Sequence, residues 1–127
     1  MDEEITTQQP LPQPALDEES IASLRELGDD DSFMLDLLGQ YVEQADRLIL
    51  AIAEAVRADD VKSWVGTMHS LAGSSRNVGA LRLGAVCTAA EVDGRTSGRI
   101  NQLPFVHDLD TEYDAVKKEI AVLRNRE

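Results

Sequence analysis

From residue 16 onward, apolar side chains return every third or fourth position, and only short polar clusters break the rhythm. That spacing lines one face of an α-helix. Ile21, Leu24 and Leu27 predict a short first helix over about 17–27, with Asp17 as its N-cap, Ser20 close behind and Gly28 as its stop. The run Asp29-Asp30-Asp31-Ser32 then caps a second helix reaching about Ala58, its carboxylates facing the positive end of the helix dipole. Met34, Leu37, Leu38, Tyr41, Ala45, Leu48, Ile49, Ile52 and Val56 form the stripe of that helix. Asp59-Asp60 ends it and caps a third helix over about 60–77, striped by Val61, Trp64, Val65, Met68, Leu71 and Ala72 and stopped by Gly79. A fourth, over about 80–97, carries Leu83, Val86, Cys87 and Ala90 before Gly94 and Ser97-Gly98 loosen the pattern. Pro104 suits the first turn of a fifth helix, where its missing N–H costs nothing. Phe105, Leu109, Tyr113, Val116, Ile120 and Leu123 follow on one face. No strand-like alternation lasts more than a few residues, and no segment repeats.

Four long amphipathic helices on short connections cannot bury their stripes singly. The expected fold is therefore all-α, an antiparallel up-down-up-down four-helix bundle with a short additional N-terminal helix. The domain spans 16–127. Residues 1–15 lack an apolar period and carry Pro10, Pro12 and Pro14, which predicts a disordered or loosely attached leader.

Composition narrows the possibilities. With 127 residues the chain suits one domain, and 4% aromatic content among 43% hydrophobic fits a core of Leu, Ile, Val and Ala. The single cysteine, Cys87, excludes an internal disulfide framework and fits a reducing compartment. No apolar run is long enough to span a membrane, and the acidic start MDEEITTQQ is unlike a secretory signal, so a cytoplasmic domain is expected. A net charge of −12 argues against nucleic acid as a partner. That charge is uneven: residues 1–36 carry −10, whereas 61–105 carry +3 from Lys62, Arg76, Arg82, Arg95 and Arg99 against Glu91 and Asp93.

The basic island contains His69. At about 100° per residue, His69 falls about a quarter turn from the centre of the third helix's stripe, at its edge. Gly66 and Gly73 fall on the outward side of the histidine, and Lys62 and Arg76 lie one step beyond at each end. Mid-helix glycine costs about 0.5–1 kcal/mol relative to alanine, so two of them imply either tolerance or a steric need. A bulky anionic group approaching a nucleophilic imidazole would meet that need. A surface histidine on a mediocre helix fits the same geometry equally well. Elsewhere, His107 beside Asp108 and Asp110 reads as a solvated residue, and Cys87 and Trp64 as core. Ser74 and Ser75 read as small residues at a helix contact, with no nucleophile-elbow pattern around them. No metal-ligand spacing and no phosphate loop occurs, so neither metal nor cofactor is expected.

The continuous run His69-Ser70-Leu71-Ala72-Gly73-Ser74-Ser75-Arg76-Asn77-Val78-Gly79-Ala80 resembles the signature of histidine-containing phosphotransfer (HPt) domains, His-x-Leu-Lys-Gly-Ser-Ser-x-Asn-x-Gly-Ala. Leu83, Cys87 and Glu91 continue the likeness on the next helix, and the compatible region covers about 16–125. The resemblance implies that His69 is a phosphoacceptor whose Nε2 takes a phosphoryl group from a phospho-aspartate of a receiver domain and returns it to another in a multistep phosphorelay. It implies receiver domains of response regulators and of a hybrid histidine kinase as partners, Mg²⁺ on the receiver, a monomer, and no autonomous kinase or phosphatase activity. Gly73 would let the receiver close over the imidazole. One position departs from the pattern: Ala72 stands where the family has lysine, and Arg76 and Lys62 are the candidate substitutes. Two other readings compete. Ser70 occupies the place where the acceptor domain of a histidine kinase typically has an acid, and Ala72 favours a helical adaptor that has lost the transfer.

Overall fold

The computed structural model describes residues 14–126, and these contain helices and turns but no strand. In chain order the helices are α1 (Glu18–Arg25), α2 (Ser32–Ala58), α3 (Val61–Asn77), α4 (Leu81–Ser97) and α5 (Val106–Asn125). α2 packs on α3, α3 on α4, α4 on α5 and α5 back on α2, which closes a four-helix bundle, and α1 leans on α2. The all-helical bundle expected from the apolar period is the fold that forms.

Polar side chains set most of the helix ends. Asp17 accepts from the Ser20 N–H at 3.0 Å and its hydroxyl at 2.8 Å, capping α1. α1 stops at Arg25, short of Gly28, because the next amides turn back three residues, Leu27 N–H to the Leu24 carbonyl at 3.2 Å and Gly28 N–H to Arg25 at 3.4 Å. Of the acidic run before α2, Asp30 does the local bonding: it accepts from the Ser32 N–H at 3.0 Å and hydroxyl at 2.7 Å, which holds its carboxyl below the ordinary value. Asp31 occupies the cap position without a side-chain cap bond and pairs with Arg25 at 3.3 Å. Asp59 takes a left-handed conformation with φ 52°, and Asp60 caps α3 through the Ser63 N–H at 3.1 Å. α5 begins later than expected. The Gln102 carbonyl accepts from both Phe105 N–H at 3.1 Å and Val106 N–H at 2.9 Å, so Pro104 lies inside a turn that precedes the helix.

The chain just before α1 is held against the bundle. Ala15 and Leu16 are buried, and the Leu16 N–H donates to the Glu119 carboxylate at 2.5 Å. The Asp17 N–H donates to the Gly79 carbonyl at 2.8 Å, which fastens this segment to the α3–α4 connection. The rest of the expected leader, residues 1–13, lies outside the described residues.

The α3–α4 seam forms the heart of the core. Trp64, Met68 and Leu71 of α3 and Leu83, Cys87 and Ala90 of α4 are fully enclosed. The Trp64 indole N–H donates to the Ala90 carbonyl at 3.2 Å, so the largest core side chain leaves no buried donor unpaired. Gly94, where the apolar pattern of α4 loosens, lets the helices close. A Cβ there would meet Val65 at 2.8 Å and Trp64 at 3.0 Å, and α4 continues past it to Ser97. Tyr41 of α2 and Ser75 of α3 share a buried hydroxyl–hydroxyl hydrogen bond of 2.8 Å, and burial pushes the Tyr41 hydroxyl up to about 12.

Burial likewise pushes the Cys87 thiol up from 9.0 to about 12. Alkylation of Cys87 at pH 8 is therefore expected to run at least about a hundredfold slower in the native protein than in denaturant, read by mass spectrometry. Equal rates would place this thiol at the surface. The pH consequence has a definite sign. Below about pH 9 both folded and unfolded chains hold the proton, whereas from 9 toward 12 only the unfolded chain releases it, so this group's contribution to stability is lost as pH rises through that window.

Candidate functional site

His69 lies in the middle of α3, on the edge of the seam with α4. Its side chain is 70% exposed, while the Glu91 side chain opposite it on α4 is only 7% exposed. Nδ1 of His69 stands 3.0 Å from Oε2 and 3.2 Å from Oε1 of Glu91. A carboxylate only accepts, so Nδ1 carries the proton and donates it, which fixes the tautomer and leaves the Nε2 lone pair free. Nε2, across the ring from this bond, has no hydrogen-bond partner among the described residues. Glu91 also holds Arg95, one turn further along α4, at 2.7 Å. The buried carboxylate is thus clamped between two partners that reach solvent.

The surface beside the imidazole is bare. Gly66 and Gly73 are exposed, and a Cβ built at either meets nothing within 4 Å. Neither glycine is demanded by a turn, a positive φ or a close helix contact, in contrast to Gly94. Arg76 folds across to α4, donating to the Thr88 hydroxyl at 2.5 Å and the Gly84 carbonyl at 3.5 Å. Lys62 is exposed in the first turn of α3 and has no ion pair among the described residues. Ala72, at the departed position of the motif, is buried in the seam. His107 is exposed on α5 and has no hydrogen bond or ion pair among the described residues.

The Hpt domain family matches residues 36–119, a span that takes in α3, α4 and the His69–Glu91 pair. The chain belongs to the Hpt family. Its fold is similar to the crystal structure of histidine-containing phosphotransfer protein B (HptB) from Pseudomonas aeruginosa PAO1, with a TM-score of 0.82 at 26% identity, covering 91% of this chain and 99% of that one. No functionally curated protein matches the sequence. The function of this Hpt domain is histidine phosphotransfer in a phosphorelay. Among the described residues no helix is long and apolar enough to cross a membrane, and no group of three or more His, Cys, Asp or Glu could hold a metal ion.

Three residues of this Hpt domain's site escape a reading of α3 alone. Glu91, Arg95 and Thr88 all belong to α4. The four-residue spacing of Glu91 and Arg95 marks them as a pair on one face, but only the packing of α3 on α4 aims that pair at His69.

Proposed function

We propose that His69 is the phosphoacceptor and that its partner is the phospho-aspartate of a receiver domain. The observation that carries this reading is the Nδ1–H bond to a buried carboxylate, which leaves Nε2 unpartnered on an exposed ring flanked by Gly66 and Gly73. In the forward step the Nε2 lone pair forms a bond to phosphorus while the acyl P–O bond breaks, and its electron pair leaves with the aspartate carboxylate. The imidazole gains positive charge as the bond forms, and the Glu91 carboxylate on Nδ1 stabilises it. In the return step a carboxylate oxygen of a second receiver attacks phosphorus, and the N–P electrons go back to Nε2. The ring keeps its Nδ1 proton throughout, so no proton need be delivered or removed.

Positioning and charge do most of the work in such a transfer. Mg²⁺ is assigned to the receiver and none to this chain. In this reading the domain acts as a monomer in the cytoplasm and has neither kinase nor phosphatase activity of its own. Receivers of a hybrid histidine kinase and of a response regulator are its partners, and Gly73 and Gly66 give them room.

The test is incubation with a receiver domain loaded with labelled phosphate, followed by mapping of the modified atom by mass spectrometry and ³¹P NMR. Acid-labile label on Nε2 of His69 is expected. No label after incubation with a panel of loaded receivers would leave a helical adaptor, and label acquired from ATP alone would make the domain part of a kinase.

A further inference from the structure

The geometry points to Arg76 as the group that takes up the phosphoryl charge once His69 is loaded, and to Thr88 as the place where it rests beforehand; this deepens the reading of His69 as acceptor and rests on it. A phosphoryl group brings up to about two negative charges and three strong acceptor oxygens to the surface of α3. Three cations surround that position. Arg95 is neutralised by Glu91 at 2.7 Å, the same carboxylate that holds His69. Lys62 lies seven residues from His69 along α3, as Arg76 does on the other side, but its charge faces the Asp60 carboxylate. Arg76 differs from both, because among the described residues its partners are the Thr88 hydroxyl at 2.5 Å and the Gly84 carbonyl at 3.5 Å. Both are neutral, so the guanidinium keeps its full charge.

The seam is shaped for that side chain. Its Cγ passes over Gly84, where a Cβ would stand 3.0 Å away. Ala72, one turn earlier on the same face of α3, is buried in the seam and has no side chain beyond Cβ to compete with the guanidinium. Following this route, the guanidinium reaches from the level of Gly84 to that of Thr88, toward the histidine. Thr88 precedes Glu91 by three residues, about 4.5 Å along α4. The charge is also felt at Cys87, where Arg76 acts to lower the thiol against the larger effect of burial. The two substitutes expected for the missing lysine at position 72 thus separate: Arg76 is placed for the role and Lys62 is not. On loading, the guanidinium exchanges a neutral hydroxyl for phosphoryl oxygens, and charge-assisted hydrogen bonds of that kind are roughly twice as strong.

Phosphoramidate, which phosphorylates imidazole without a receiver, separates this inference from the docking step. The full chain is loaded with it and the phosphoryl group is titrated by ³¹P NMR. A neighbouring cation favours the dianion, so the proton affinity of the phosphoryl group is expected to be about tenfold higher in Arg76→Ala than in the wild type. Arg76→Gln, which keeps most of the stem over Gly84, should match the alanine variant, and Arg76→Lys should lie between it and the wild type. Thr88→Val keeps the cation and should titrate like the wild type. Identical titrations of wild type, Arg76→Ala and Arg76→Gln would overturn the role of Arg76, and a shifted Thr88→Val curve would transfer the effect to the hydroxyl. Failure of the wild type to load at His69 would instead overturn the acceptor reading itself.

Discussion

Replacing Glu91 by alanine is expected to slow phosphoryl uptake by His69 about 10- to 100-fold while moving the melting temperature little. The carboxylate has two tasks at Nδ1. It holds the ring in the orientation and tautomer that expose Nε2, and it offsets the positive charge that develops as the N–P bond forms. Stability should respond weakly, because the acid is the buried member of its cluster. Its partners His69 and Arg95 have side chains 70% and 59% exposed, and water solvates both once the carboxylate is gone. This differs from the usual broken buried pair, where a stranded charge makes the loss severe. Glu91→Gln keeps an acceptor for the Nδ1 proton but loses the charge, so its uptake should fall between the two. Rapid-quench measurement of label transfer from a loaded receiver, with thermal melting as the control, checks the prediction. Uptake by Glu91→Ala at the wild-type rate would reduce the contact to a structural one.

Gly73→Leu is expected to lower transfer from a receiver by at least about tenfold while leaving the fold as stable as before or slightly more so. Nothing within 4 Å opposes a Cβ at position 73, and leucine is the better helix former by about 0.5–1 kcal/mol. The added side chain would project one turn from His69, onto the surface a partner must cover. Phosphoramidate is small and should still load the variant. Melting curves, receiver-dependent uptake and phosphoramidate loading together separate a blocked approach from a damaged histidine. Normal receiver-dependent uptake would defeat the steric argument.

Helical periodicity carried most of the fold, because burial of one face imposes the same three- and four-residue rhythm on sequence and structure alike. Trp64, Met68, Leu71, Cys87, Leu109, Val116 and Ile120 all lie where that rhythm puts them. Helix ends were less legible. Asp30, Asp31 and Ser32 are chemically interchangeable as caps, and only the backbone conformation at Asp31 decides which of them bonds. Pro104 likewise fits a first turn and the turn before it, and the Gln102 carbonyl decides. The site divides in the same way. A single helix places Gly66, His69 and Gly73 on a surface, which is a property of α3 alone. That Glu91 faces His69, and that Arg76 runs to Thr88, depends on how α4 slides along α3. Gly94 against Trp64 and Gly84 against Arg76 set that register, and a helical wheel carries no information about a neighbouring helix.

The histidine and the acid that orients it are carried by two helices packed around a buried tryptophan. A carrier built this way behaves as a capacitor rather than a switch. In the reading proposed above, loading it changes the charge at one ring and the aim of one guanidinium. In the proposed reading the same imidazole receives the phosphoryl group and gives it up again. Net flux through it is then a matter of mass action, set by the relative amounts and phosphorylation states of the partners that dock on either side of the exchange.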